Sequence, residues 1–100
     1  MGRAELAAAD VMVLMSLAPG PKHGYAIMSD ILAFAGVRIG PGTLYTALER
    51  LERDGLIVPL AAEGRRRPYR ITTTGLAAIR ARAADMRRLT AVATRRLATR

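Results

Sequence analysis

The hydrophobic pattern divides the chain into four helical stretches and an extended hairpin. Residues 5–17 are strong helix formers and apolar nearly all round. Leu6, Val13, Leu14 and Leu17 share one face, and Val11, Met12 and Met15 cover much of the rest, so the helix needs cover on two sides. Pro19, Gly20 and Pro21 end it. A second helix is expected over 24–35, with Ile27, Met28, Ile31, Leu32 and Ala35 at the spacing of a buried stripe and Gly36 in the C-cap position. Residues 37–39 alternate as a short strand would, and Gly40, Pro41 and Gly42 then break the chain. A third helix is expected over 42–54, closed by Gly55, with Leu44, Ala47, Leu48 and Leu51 facing inward. At about 100° per residue, Thr46, Glu49 and Arg53 lie opposite that stripe. Thr43 and Arg50 flank them on one side, Tyr45 and Glu52 on the other.

Residues 56–58 and 68–71 read as two strands, with 62–66 as the hairpin tip. A long fourth helix then opens with Thr72 or Thr73 as its N-cap. Leu76, Ile79, Ala83, Met86, Ala93 and Leu97 follow one another along it in a three-four seam, with Thr90 the one misfit. The seam runs well past what so small a domain needs for its own core. It therefore asks for a partner, as the doubly apolar first helix does. The expected dimer interface comprises Leu6, Met12, Met15, Leu76, Ile79, Ala83, Met86, Leu89, Ala93 and Leu97.

Helix, helix, short strand, helix and hairpin is the order of a winged helix-turn-helix. The fold expected is mainly α with a small β-hairpin wing. Residues 1–72 would form the winged unit and 73–100 a long C-terminal dimerisation helix.

Composition narrows the function. One hundred residues make one domain rather than a two-domain enzyme. A domain of that size buries roughly two thirds of its unfolded surface, so oligomerisation would help its thin core. The chain has no cysteine and a single histidine, His23, which excludes disulfides, thiolate sites and histidine metal clusters. No metal or cofactor is expected. No histidine-serine, cysteine or paired-carboxylate constellation converges, so catalysis is not expected either. No secretory signal is visible, and the apolar stretch 7–18 is interrupted by Asp10 and far short of the roughly 20 residues that span a bilayer. A cytoplasmic protein without a membrane partner is expected.

The formal net charge is +8, and all of it lies in residues 51–100, where twelve arginines face four acids. Such asymmetry points to a polyanion, with nucleic acid ahead of an anionic membrane surface. GC-rich coding accounts for fifteen arginines against one lysine, but not for their clustering. Thr43, Thr46 and Arg50 on the third helix are able to reach phosphates and base edges in a major groove about 12 Å wide. Thr46 and Arg50 are the base-edge candidates, although Arg50 has Glu49, Glu52 and Asp54 nearby as alternative partners. Arg65, Arg66 and Arg67 on the hairpin suit phosphates, and Lys22, taken as exposed, is a further phosphate candidate. His23 is read as a local hydrogen-bonding residue, and Arg80, Arg82, Arg87 and Arg88 as the solvent face of the fourth helix. Single-stranded RNA would call for more stacking aromatics than this chain has. A protein-interaction module without specific DNA binding is the competing reading.

Several runs also resemble a known family. These are Pro21-Lys22-His23-Gly24-Tyr25, Pro41-Gly42-Thr43-Leu44-Tyr45, the run from Leu48 to Ile57, and Arg67-Pro68-Tyr69-Arg70-Ile71-Thr72 followed by Gly75. In order and spacing they resemble the PadR family of transcriptional regulators. The similarity covers about residues 14 to 79. The resemblance implies a homodimeric winged-helix repressor on a near-palindromic operator of double-stranded DNA, dimerised through its first and last helices. It also implies phosphate contact by Tyr45, DNA-side placement of Tyr25, and release by a small-molecule effector. A single C-terminal helix is similar to the short subfamily. A small hydrophobic effector between the dimer helices would meet Leu6, Met12, Met15, Met86 and Leu89, though ordinary core and interface packing is the stronger reading of those residues. Two positions depart from the family pattern: Thr46 stands where proline is usual, and Thr73 where an acid is usual.

Overall fold

Each helix begins and ends where local chemistry requires. In the computed structural model, which describes residues 6–99, α1 spans Ala8–Leu17 and stops short of Pro19. Its expected start at Glu5 lies outside the described residues, and Leu6 and Ala7 precede the helix. α2 spans Gly24–Ala35, the range the pattern predicts. His23 Nδ1 accepts the Ala26 amide at 3.4 Å to cap its start, and Gly36 ends it with φ +67°, a left-handed value that favours glycine. α3 spans Pro41–Arg53, one residue earlier at each end than expected, because proline suits the first helical position. α4 spans Thr73–Ala98. Thr72 caps it, its Oγ1 accepting the Gly75 amide at 3.0 Å while donating to the Gly55 carbonyl at 2.7 Å.

The extended segments differ from expectation in two respects, the smaller being that the strand expected over 56–58 spans Ile57–Pro59. The short strand precedes α2 instead of following it: β1 is Lys22–His23, and residues 37–39 form no strand. With β2 (Ile57–Pro59) and β3 (Pro68–Ile71) it makes a three-stranded antiparallel sheet in the order β1-β3-β2. Lys22 pairs with Tyr69 and His23 with Pro68 on one side of β3, and Ile57 pairs with Ile71 on the other. Glu63 and Arg66 pair across the hairpin tip.

The core forms where α1 crosses α2, α3, β3 and the start of α4. All four expected stripe residues of α3, Leu44, Ala47, Leu48 and Leu51, are buried. The stripe of α2 is narrower than expected: Ile27 and Ile31 are buried, Met28 is half-buried, and Leu32 and Ala35 are exposed. Gly75 brings the first turn of α4 against the β2 side of the sheet, where a Cβ would lie 2.1 Å from the Leu56 carbonyl oxygen. Of the expected interface residues, Ile79 belongs to the protomer's own core, and Leu6, Met12 and Leu76 pack against it. Ala83 is half-buried, while Met15, Met86, Leu89, Ala93 and Leu97 are exposed. A helix of 26 residues is about 39 Å long, so the far half of α4 extends beyond the core. Among the described residues no helix is long and apolar enough to cross a membrane.

Candidate nucleic-acid interface

α3 presents an open face between two supports. Thr43, Thr46, Glu49 and Arg53 are all exposed along it. Gly40 supplies no side-chain cap, which leaves the Gly42 and Thr43 amides available to an anion, Pro41 having none. Arg53 makes no ion pair among the described residues, so it is the free cation of the outward face.

One flank of α3 is held by α1. Arg50 does not project outward as expected, nor does it pair with Glu49, Glu52 or Asp54. Its Nε donates to Asp10 Oδ2 at 2.9 Å and its Nη2 to Asp10 Oδ1 at 2.6 Å, a two-bonded fork between α3 and α1. Asp10 is only 2% exposed. The bond and the charge of Asp10 raise the Arg50 pKa further above its ordinary, already strongly basic value. The sequence carries a sign of this pair: Asp10 interrupts the apolar stretch 7–18, and a buried carboxylate has to find a cation.

The other flank meets the wing. Tyr45 is 53% exposed there, and Tyr25 is 74% exposed at the start of α2. Tyr69, half-buried on β3, was not among the expected site residues, yet all three tyrosines of the chain converge with His23, Gly24, Arg65, Arg66 and Arg67. They line a hollow of about 190 Å³. That is smaller than the roughly 300 Å³ at which drug-sized sites begin, and it is rich in donors suited to a phosphate. Burial raises the Tyr69 pKa above that of free tyrosine; the charges of Glu52 and Tyr45 add to the rise and Arg67 offsets part of it. A wider, open groove of about 560 Å³ continues along α2 past Ser29, Asp30 and Ala33.

The wing arginines are exposed as a group. Arg67 also donates from Nη1 to the Leu60 carbonyl at 2.8 Å, which braces the hairpin. Lys22, in contrast, is turned inward. Its ammonium donates to the Ser16 carbonyl and lies 3.9 Å from Asp30 Oδ2, which also accepts from Ser16 Oγ at 2.7 Å. The expected exposure of Lys22 is thus replaced by a bond network between α1 and α2. On α4, Arg82 reaches the Leu6 carbonyl at 3.4 Å and Arg88 pairs with Asp85 at 2.7 Å. Among the described residues no group of His, Cys, Asp or Glu is placed to hold a metal.

Comparison with known proteins agrees with this architecture. The profile of the Transcriptional regulator PadR-like family matches residues 13–81. Over 76 residues the chain is 43% identical to a transcriptional regulator of Mycobacterium tuberculosis, covering 73% of this chain and 70% of that protein. It is 47% identical over 81 residues to an uncharacterized 37.1 kDa protein in a transposon of Streptomyces fradiae, covering 81% of this chain. That match spans 24% of the relative's own length. The crystal structure of a PadR family transcription regulator from Clostridium difficile has a TM-score of 0.83 at 22% identity, covering 91% of this chain and 99% of that one. The winged helix with a long C-terminal helix is therefore a fold the two share.

Proposed function

The chain belongs to the PadR-like family of transcriptional regulators, and from that premise we propose that it is a homodimeric repressor of double-stranded DNA. In this reading it recognises a near-palindromic operator, one half-site per subunit. The observation that carries the proposal is the juxtaposition of the open face of α3 with the hollow where three tyrosines meet three wing arginines.

The parts divide by chemistry. α3 enters the major groove, and Thr46 and Arg53 address base edges from its outward column. Thr43 and the first-turn amides hold one backbone phosphate. Tyr25 and Tyr45, with Arg65, Arg66 and Arg67, hold a neighbouring phosphate through neutral and charged donors. Arg50 and Lys22 act on the protein side, as struts from α3 and β1 to α1 and α2. Glu49 and Glu52 would be repelled by phosphates, so neither is assigned a DNA contact.

Dimerisation falls to α1 and the far half of α4, whose exposed Met86, Leu89, Ala93 and Leu97 form an apolar seam. Two such subunits present two α3 helices to half-sites about one helical turn, roughly 34–36 Å, apart. Selection of bound duplexes from a random DNA pool tests the reading. Enrichment of a palindrome with half-sites one turn apart is expected. A pool with no enriched sequence would overturn it and favour a protein-interaction module.

A further inference from the structure

We propose that the Asp10–Arg50 pair is a positioning device that sets DNA selectivity without touching DNA, because it fixes the roll of α3. The proposal rests on the DNA-binding reading above and adds a role for a residue of α1 that faces no groove.

Three observations carry it. The first is geometric. The two hydrogen bonds, at 2.6 and 2.9 Å, engage both carboxylate oxygens of Asp10 with the planar guanidinium of Arg50. A fork of this kind fixes direction as well as distance. The apolar packing of Leu44, Ala47, Leu48 and Leu51 in the core is non-directional and would let α3 turn slightly about its axis.

The second is energetic. Asp10 sits in the first turn of α1 beside the buried Val11, Val13 and Leu14, and is itself 2% exposed. Burying the Asp10 end of the ion pair, with the Arg50 side chain still 35% exposed, contributes little net stability against apolar residues of the same size, because desolvation offsets the attraction. What the pair supplies is orientation.

The third is the placement of Arg50 on its helix. Arg50 lies four residues after Thr46 and seven after Thr43, so it stacks beside the outward column of Thr46, Glu49 and Arg53. Holding Arg50 holds that column. On the opposite flank Tyr45 shares a hollow with Tyr69 of β3 and the wing arginines, so α3 is clasped between α1 and the wing. Released from Asp10, it keeps its core packing and loses its register against the bases.

The test uses the full chain, a palindromic duplex recovered from a random pool, and a scrambled duplex of equal length and composition. The variants are Asp10→Asn, Arg50→Met and the double Asp10→Leu/Arg50→Met. The double variant replaces the pair by apolar side chains of similar size, so it folds even where one charge left alone would not. For each, affinity for both duplexes is measured over a range of salt, together with the melting temperature. The expected result is a loss of about tenfold in the ratio of specific to scrambled affinity, close to the cost of one mismatched base pair. The salt slope stays that of the unmodified chain. The double variant loses no more than either single one, since all three remove the same fork.

Two results would overturn the proposal. One is a preserved affinity ratio in the variants whatever their melting temperatures, which makes the pair merely structural. The other is an equal cost of removing Arg50 with and without Asp10, which makes Arg50 a direct base contact. If the unmodified chain shows no preference between the two duplexes, the DNA-binding reading itself fails, and this inference with it.

Discussion

The phenolic oxygen of Tyr45 rests over Gly24, where a Cβ would lie 3.1 Å from it and 3.2 Å from Leu44 Cδ2. The missing side chain lets the first turn of α2 approach α3 closely and leaves the Tyr45 hydroxyl lining the hollow. Tyr45→Phe should weaken binding to every duplex about tenfold, the value of roughly one hydrogen bond to a charged group, with melting temperature and selectivity unchanged. Gly24→Ala, which pushes the ring aside by tenths of an ångström, should act in the same direction by about threefold. Fluorescence anisotropy titrations check both. Full affinity in Tyr45→Phe would remove this hydroxyl from the interface.

Among the described glycines, Gly75 sits tightest against its neighbours. Its Cβ would meet the Leu56 carbonyl oxygen at 2.1 Å and Ile71 Cγ1 at 2.7 Å. Gly75→Ala forces α4 away from the sheet, and overpacking of this kind costs about 2–3 kcal/mol. In a domain of this size the melting temperature should fall by roughly 8–20 °C. Calorimetry of the variant beside the unmodified chain measures it, and an unchanged transition would contradict the packing.

Leu89 and Leu97 are 68% and 67% exposed on α4, so replacing them costs the protomer's core nothing. Leu89→Glu/Leu97→Glu should convert a dimer to a monomer in sedimentation velocity. Affinity for a full palindrome should fall toward that for a single half-site. A wild-type chain that sediments as a monomer would contradict the assignment of α4.

Burial holds the proton of Tyr69 more tightly in the fold than in the free chain, where tyrosine ionises near pH 10. The stability it contributes is complete below that pH and is lost as pH rises through the folded value. Urea unfolding between about pH 9 and pH 11 should show the loss, and Tyr69→Phe should flatten it. Equal slopes in the two proteins would show that Tyr69 is not the group responsible.

What is legible in the sequence is what a helical turn contains. The stripe from Leu44 to Leu51, the Thr72 cap and the Gly36 terminus each have cause and effect within a few residues. β1 lacks that advantage. Lys22 and His23 form a strand because Tyr69 and Pro68 offer them a ladder, whereas residues 37–39 alternate and have no partner strand. The site divides the same way. Exposure of Thr43, Thr46 and the wing arginines follows from periodicity and turn chemistry. The commitment of Arg50 to Asp10 spans 40 residues, and that of Lys22 depends on Ser16 and Asp30 across a helix turn-around. Tyr69 joins Tyr25 and Tyr45 through the register of β3, which the run Pro68 to Ile71 does not disclose by itself.

DNA recognition by this chain is decided by the salt dependence of duplex binding, measured for the unmodified chain and for Arg65→Ala/Arg66→Ala/Arg67→Ala. Over roughly 50 to 200 mM salt, affinity should fall steeply for both a selected palindrome and its scrambled counterpart. The palindrome should bind at least about 10³-fold more tightly. The triple variant should weaken both duplexes together and flatten the slope by roughly two to three, near one for each phosphate that no longer meets an arginine. Equal slopes in the two proteins, or no preference for the palindrome, would contradict the account.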